Sequence, residues 1–268
     1  MSVGVGPLDR FKFDRTDVVT LGRFAVPVVL ILLWQVLASV TGDIALASPT
    51  QSLAALISGL QDGWLLEGAR RTLTELVFAY ALAAVIGVWV GVTLGLNEFW
   101  RDVFEPIITG TYAIPKVTLF PIFLFIFQLG IDSKIAFGWF HGVFPIAIIT
   151  MSAMTTIRKE HLKVARSLRL SRIQTFREII VPSILPGLVI GLRLGFNLTF
   201  LGIVLGEMFA ARAGLGYTLV QYITGSQEAR MLAIIMVLIA IATTVNVAFF
   251  VLERRLGDRS GETATMQM

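Results

Sequence analysis

Long apolar runs separated by short polar breaks dominate the chain. Segments long enough to cross about 30 Å of hydrocarbon, at about 1.5 Å per helical residue, lie at 24–40, 73–96, 107–129, 135–157, 184–209 and 231–252. They predict an all-α polytopic membrane protein with about six transmembrane helices, one membrane domain at 24–256, a polar segment at 1–23 and a tail at 257–268. Six crossings put both termini on the same side. After the first run, Ser48-Pro49 reads as an N-cap followed by proline in the first turn, so a short surface helix from Thr50 to about Leu60 is expected, broken by Asp62-Gly63. A second such segment, 210–229, carries Gly214-Leu215-Gly216 and a moderately polar helix. The third run contains Pro115 and Pro121. Each removes a helical hydrogen bond, which predicts a bent or broken helix, tolerated in a membrane where it is buried in protein or lines a cavity.

Small residues recur every fourth position in two runs: Ala83, Gly87, Gly91 and Gly95 in the second, and Gly187, Gly191 and Gly195 in the fifth. That spacing makes a groove into which another helix backbone fits. Packing within the chain is the preferred reading; a seam between two copies is the other.

Composition supports lipid as the solvent: 56% of residues are hydrophobic, 15% are charged, and mean hydropathy is +0.80. A soluble domain has about 25% charged residues and needs that polar skin. Basic residues then set the orientation. Four precede the first run, Arg101 follows the second, seven lie between Arg158 and Arg177, and three follow Glu253, fifteen in all on the terminal side. The opposite side has five, Arg70, Arg71, Lys134, Arg212 and Arg230, while Lys116 and Arg193 fall within spans. The positive-inside rule makes the termini and the 158–177 loop cytoplasmic. Ala45-Leu46-Ala47 has the form of a signal-peptidase site, but the run at 24–40 is longer than a usual signal core and follows a long polar leader, so a retained first span is expected. The basic residues flank apolar spans without interleaved aromatics, which argues against nucleic acid. With no Cys and two isolated His residues, His141 and His161, no metal site is expected.

The 158–177 loop is the most informative stretch. Leu162, Ala165 and Leu168 recur at three-residue spacing, with Val164 and Ser167 beside them and a rim of Lys163, Arg166 and Arg169. This predicts a short amphipathic helix, about 160–172, outside the bilayer. On physical grounds alone it serves equally well as a lipid-headgroup contact or as a dock for a protein partner.

Ala165-Arg166-Ser167-Leu168 with Ser171-Arg172 resembles the coupling helix, the Glu-Ala-Ala loop, of binding-protein-dependent ABC importer permeases. Val181-Pro182-Ser183-Ile184-Leu185-Pro186-Gly187 and Gly191-Leu192-Arg193 are similar to the segment C-terminal to that loop in the branch that moves nitrate, sulfonates, taurine and related small molecules. Ser48-Pro49, Ala113-Ile114-Pro115-Lys116-Val117, Pro121, Leu129-Gly130-Ile131, Ser133-Lys134, Gly206-Glu207-Met208 and Gly214-Leu215-Gly216-Tyr217 resemble the same branch, so the likeness covers about 47–256. Two positions depart from it. Lys163-Val164-Ala165 stands where Glu-Ala-Ala is usual, and Arg169 where the loop glycine is expected. The resemblance implies a type I importer fold, a second permease copy, two cytoplasmic ATP-binding subunits, an external solute-binding protein, and ATPase coupling through Lys163, Val164, Ala165, Arg166, Ser167, Leu168 and Arg169, with Ala165 on the docking face.

None of the five Lys residues follows a glycine, so no phosphate-binding loop is present and ATP would be bound and hydrolysed by a partner; no cofactor is expected. No nucleophile and base pair stands out, and the chain reads as a transporter rather than an enzyme. Burying an ionisable group in a span costs at least about 2.5–3.5 kcal/mol, which makes Lys116, Arg193 and Glu207, with Asn197 one turn from Arg193, candidates for the translocation path. Structural bonding to neighbouring helices is the competing role for each. The expected function is that of a permease subunit importing a small anionic solute of the sulfonate, nitrate or taurine type. A secondary transporter or channel that uses the same ionisable residues without an ATPase is the alternative.

The orientation can be tested directly in a chain without cysteine. Ser171→Cys is expected to resist an impermeant thiol reagent added outside intact cells; labelling from outside would reverse the topology.

Overall fold

The computed structural model describes residues 15–42, 46–157 and 159–265. Arg10, Lys12, Ala45 and Arg158 therefore lie outside the described residues. Helices joined by short connections make up these residues: α1 Arg15–Thr41, α2 Pro49–Gln61, α3 Trp64–Gly95, α4 Glu98–Ala113, a 3-10 turn Lys116–Leu119, α5 Phe120–Phe127, α6 Ile131–Thr155, α7 Lys159–Ser167, α8 Arg172–Thr175, a π-helical turn Phe176–Ile180, α9 Val181–Ala210, α10 Leu215–Thr224 and α11 Glu228–Thr265.

Four of these helical stretches are long and apolar enough to cross a membrane, Trp64–Gly95, Ile131–Thr155, Arg172–Ala210 and Glu228–Leu256. The third expected span is a pair, Glu98–Ala113 and Lys116–Phe127, bent by 84°. Its cause is local: Pro115 cannot donate, and Ile114 before it is extended, with ψ 135°. The expected first span lies in α1, whose apolar part, Ala25–Thr41, is shorter than the other four. Several helices outrun their apolar cores. α3 begins at Trp64, so Arg70 and Arg71 lie in its first turns rather than in a loop, and α11 runs through the expected tail to Thr265. Nothing after Gly63, which takes the left-handed φ of +82° that ends α2 cleanly, interrupts α3. Ser48 caps α2 through a reciprocal pair with Gln51.

α6 is the centre of the bundle, held between α3 and α9. Both small-residue ladders face it. A Cβ at Gly87 would lie 2.8 Å from Ile146 Cβ, one at Gly91 2.6 Å from Thr150 Cβ, and one at Gly95 2.6 Å from Met154 Cβ. On the other side Gly187 meets Ala153, Gly191 meets Ile149 and Gly195 meets Ile146. Rising numbers pair with rising numbers along α3 and falling ones along α9, so α6 runs parallel to α3 and antiparallel to α9. Gly138 and Gly142 of α6 in turn admit Ile203 and Thr199. Beyond this contact, Leu76, Ala79, Phe196, Phe200 and Ile203 form a core, with the Tyr80 hydroxyl donating to Leu192 O at 3.1 Å. α11 covers the outside of α9, α10 and α2. α1 exposes apolar side chains such as Val28, Leu30 and Leu32, and its Trp34 Nε1 donates to Ala47 O at 3.0 Å.

Ala is normally the better helix former, by about 1 kcal/mol over Gly. Gly91→Ala, however, puts a methyl group 2.7 Å from the Ala147 carbonyl oxygen, which is backbone and cannot swing away. It is expected to destabilise by about 1–3 kcal/mol, read as a lower thermal midpoint of the detergent-solubilised chain. Gly110→Ala, with no atom within 4 Å of the added carbon, is expected to be neutral or stabilising. Equal midpoints for the two variants would remove the close-approach account.

Candidate functional site: two ends of one bundle

The amphipathic loop forms α7, which leaves the end of α6 and turns back into α8. Its last turn closes with two bonds, Leu170 N to Ala165 O at 3.0 Å and Arg169 N to Arg166 O at 3.0 Å. These are the paired bonds of a Schellman cap, whose penultimate position is left-handed. Arg169 occupies it, with φ +53°. The departure from glycine therefore falls where the backbone most favours glycine. Ser171 then caps α8 through a reciprocal pair with Gln174, and Pro182 follows a π-turn in which the Val181 N–H reaches Phe176 O.

Ala165 is 2% exposed and faces its own chain, while Val164, Leu168 and Ile173 point outward. Lys163, Arg166, Ser167 and Arg169 are also exposed. The outward face of α7 is thus Val164 and Leu168 set among basic side chains; the Leu162 side chain lies outside the described residues.

The four intramembrane polar candidates occupy three separate places. Arg193 Nε donates to Asn246 Oδ1 at 3.0 Å and its Nη1 pairs with Glu253 Oε2 at 3.1 Å. Asn197 and Asn246 exchange bonds of 3.2 and 2.7 Å. Both therefore join α9 to α11. Lys116, at the break in the third span, is half-buried; its Nζ donates to Tyr112 O at 2.9 Å and sits 4.2 Å above the Tyr112 ring. Glu207 is fully buried at the end opposite α7.

Around Glu207 the chain builds a closed polar circuit. Thr72 Oγ1 lies 2.8 Å from Glu207 Oε1, Gly216 N donates to Oε2 at 2.8 Å, and Leu215 N donates to Thr72 Oγ1 at 2.9 Å. Gly214, at φ +111°, leaves no room for a side chain beside the carboxylate. One turn along α3, Glu75, 0% exposed, accepts from Arg71 Nε at 2.9 Å and lies 3.6 Å from Lys134 Nζ. Sequence reasoning missed Thr72, Glu75, Asn246 and the role of Lys134. Glu75 had a visible signal, an acid just inside an apolar run with Arg71 four residues before it; Asn246, in mid-run, had a fainter one. Among the described residues no group of His, Asp and Glu could hold a metal.

An apolar bundle with a break in one crossing, buried ion pairs at one end and a basic amphipathic helix outside the other defines a membrane transport subunit. Similarity to known proteins gives its family. Residues 83–258 match the model of the binding-protein-dependent transport system inner membrane component, and the chain belongs to that family, the ABC importer permeases. It is 28% identical over 266 residues to the taurine transport system permease protein TauC of Escherichia coli (strain K12), covering 94% of each chain. It is 30% identical to the nitrate import permease protein NrtB of Synechocystis sp. (strain ATCC 27184 / PCC 6803 / Kazusa), over 70% of this chain and 72% of that one. A putative aliphatic sulfonates transport permease protein, SsuC of Bacillus subtilis (strain 168), is 24% identical over 86% of this chain and 84% of that one. Among solved structures, the inward-facing MetNI methionine ABC transporter superposes with a TM-score of 0.64 at 22% identity, covering 72% of this chain and 96% of that one. An amino acid ABC transporter gives 0.55 at 16%, covering 76% and 98%. These likenesses establish the type I importer permease fold and a transport subunit rather than an enzyme.

Arg169→Gly is expected to stabilise the α7 cap by about 0.5–1 kcal/mol, because glycine adopts the left-handed conformation without a Cβ penalty. Slower hydrogen exchange at the Leu170 amide would report it. Unchanged or faster exchange would mean that the Arg169 side chain holds the turn in some other way.

Proposed function

We propose that the chain is the membrane-spanning subunit of an ATP-driven importer that takes a small anionic solute from an external binding protein. It pairs with a second permease copy across a lipid-embedded face and couples through α7 to cytoplasmic ATP-binding subunits, which hold the ATP. The single observation that carries the coupling is the geometry of α7. It stands outside the spanning helices, joined to the central α6 on one side and to α9 on the other, and shows Val164 and Leu168 with a basic rim. A partner that grips this helix pulls on both helices at once.

The cargo class is supported by the relatives, named for taurine, nitrate and aliphatic sulfonates, and by the basic groups of this chain. Lys116 keeps its claim on the path best, being half-exposed beside the broken crossing. Arg193, Asn197 and Glu207 have their polar atoms engaged within the chain, so their contribution is to hold the helices that form the path. Both termini and the 158–177 loop face the cytoplasm in this reading, following the basic asymmetry.

The test is uptake of taurine, nitrate and ethanesulfonate into vesicles carrying the chain with its co-purifying partners, with and without ATP. Because Ala165 faces inward, the informative variant lies on the outward face. Leu168→Asp is expected to leave a folded subunit in the membrane but to abolish ATP-dependent uptake, since an unpaired charge buried in a contact costs several kcal/mol, about 3–5 where a pair is broken. Native uptake by a well-expressed Leu168→Asp would remove α7 as the coupling contact. Uptake by the chain alone, driven by an ion gradient, would replace the importer with a secondary transporter.

A further inference from the structure

At the end of the bundle opposite α7, two cavities meet. The wider, about 470 Å³, lies between the start of α3 and the 212–218 segment, with Arg70, Arg71 and Arg212 in its wall. The narrower, about 210 Å³, shares Arg71, Arg212 and Ala213 with it and reaches Lys134. Lys134 is 3% exposed, so its ammonium group has little water of its own. The Glu75 carboxylate lies 3.6 Å from it, beyond hydrogen-bonding distance. Glu75 holds Lys134 as an ion pair at that distance, and the lysine borders the narrower open space.

The charges are sorted across the cavity walls. Arg70, Arg71, Arg212 and Lys134 line the two spaces, whereas Glu75 and Glu207 line neither and stand behind them; Glu67, in the wider cavity, is the acid in either lining. Glu207 is taken up by Thr72 and Gly216. Glu75 serves both Arg71 and Lys134, two cations on one carboxylate. Arg70 and Arg212 have no ion pair among the described residues. The cluster thus holds more positive charge than it neutralises, and the excess, carried by the exposed Arg70 and Arg212, faces the cavities.

We infer that this pair of cavities is a binding site for a small oxyanion within a single permease subunit, with Lys134 and Arg212 as its principal donors and Arg71 held in place by Glu75. A sulfonate, nitrate or carboxylate group satisfies the chemistry, because the guanidinium groups offer paired donors to planar or tetrahedral oxyanions and Lys134 a point charge. The narrower space, below the about 300 Å³ at which drug-sized pockets begin, limits the ligand to a small headgroup. The wider one, with Thr74, Tyr217 and Thr218 in its wall, receives the remainder. This site rests on the anionic-cargo reading and on its orientation, which puts these cavities on the outer side, where a released solute arrives before the path. A lipid phosphate offers the same chemistry, and the test separates the two.

Binding of ethanesulfonate to the full-length chain in phosphatidylcholine nanodiscs, measured by calorimetry, is expected to saturate. Lys134→Gln and Arg212→Gln should each weaken it by at least about tenfold, the effect of losing one hydrogen bond to a charged group. Arg101→Gln, in the first turn of α4 past the far end of α3, should not change it. Arg212 is exposed and has no ion pair among the described residues, so Arg212→Gln tests the site even where Lys134→Gln fails to fold. Native affinity in Arg212→Gln would overturn the site. Replacing half of the lipid by phosphatidylglycerol should leave ethanesulfonate binding unchanged; its loss in those discs would make a lipid phosphate the occupant and overturn the solute assignment. ATP-dependent uptake run in parallel keeps the two readings apart. Uptake that needs ATP alongside unaltered binding by Arg212→Gln removes the site and leaves the importer. Uptake without ATP removes the importer whatever the site binds.

Discussion

Everything else in this bundle depends on how closely α3 and α9 approach the backbone of α6. Ile146, fully buried, is received by Gly87 on one side and Gly195 on the other. In lipid the hydrophobic effect does not drive helices together, so association rests on van der Waals contact and polar bonds, and small residues are what allow that contact to form. Three helices locked at this distance behave as one body. The remaining elements are less constrained: α1 stands largely exposed, and α11 reaches the core through apolar contacts that include Phe249 and through the bonds of Asn246 and Glu253 to Asn197 and Arg193.

The same clamp explains why buried ionisable groups are tolerated at one end. Glu75, Lys134 and Glu207 belong to α3, α6 and α9; Glu75 accepts from Arg71 of its own helix and pairs with Lys134, while Glu207 is supplied by Thr72 and Gly216, which the packing of the helices holds in place. Thr72 can serve Glu207 and Leu215 N together only because α3 and α9 are held in one register. Removing a partner from such a circuit would leave a charge without water or donors, so the circuit in turn penalises any slip of the clamp.

Some of this was readable from residues alone. The repeat of small residues at every fourth position foretold the helix contact, Pro115 the 84° break, and Ser48-Pro49 the cap of α2. These are local rules, decided within a few residues. The partners of Glu207 were not readable, because Thr72 lies 135 residues away and nothing in either segment names the other. Nor was the partner of Arg193, which depends on the face that α11 turns toward α9. The spacing of Leu162, Ala165 and Leu168 identified an amphipathic helix but not which of its residues face the chain. Only the fold around it turns Ala165 inward and leaves Val164 and Leu168 out.

The arrangement gives α6 a mechanical meaning. Its first turn carries Lys134, at the edge of the basic cavities, and its last runs on toward α7. Pro145 removes one hydrogen bond near the middle of α6, but close glycine contacts on two sides leave the helix little room to bend there alone. Movement at α7 must therefore be carried by α3, α6 and α9 together, or be taken up where the packing is weakest. One such place is the break at Ile114-Pro115, where α4 and the segment that ends in α5 meet at 84° without a continuous hydrogen-bond ladder. Lys116 sits immediately after it, bonded to the carbonyl oxygen of Tyr112 across the break. A change in the bend would stretch that bond and shift the ammonium relative to the aromatic rings beneath it. The half-exposed Lys116 charge of the broken crossing is thus attached to the joint that rigid-body motion of the bundle would work.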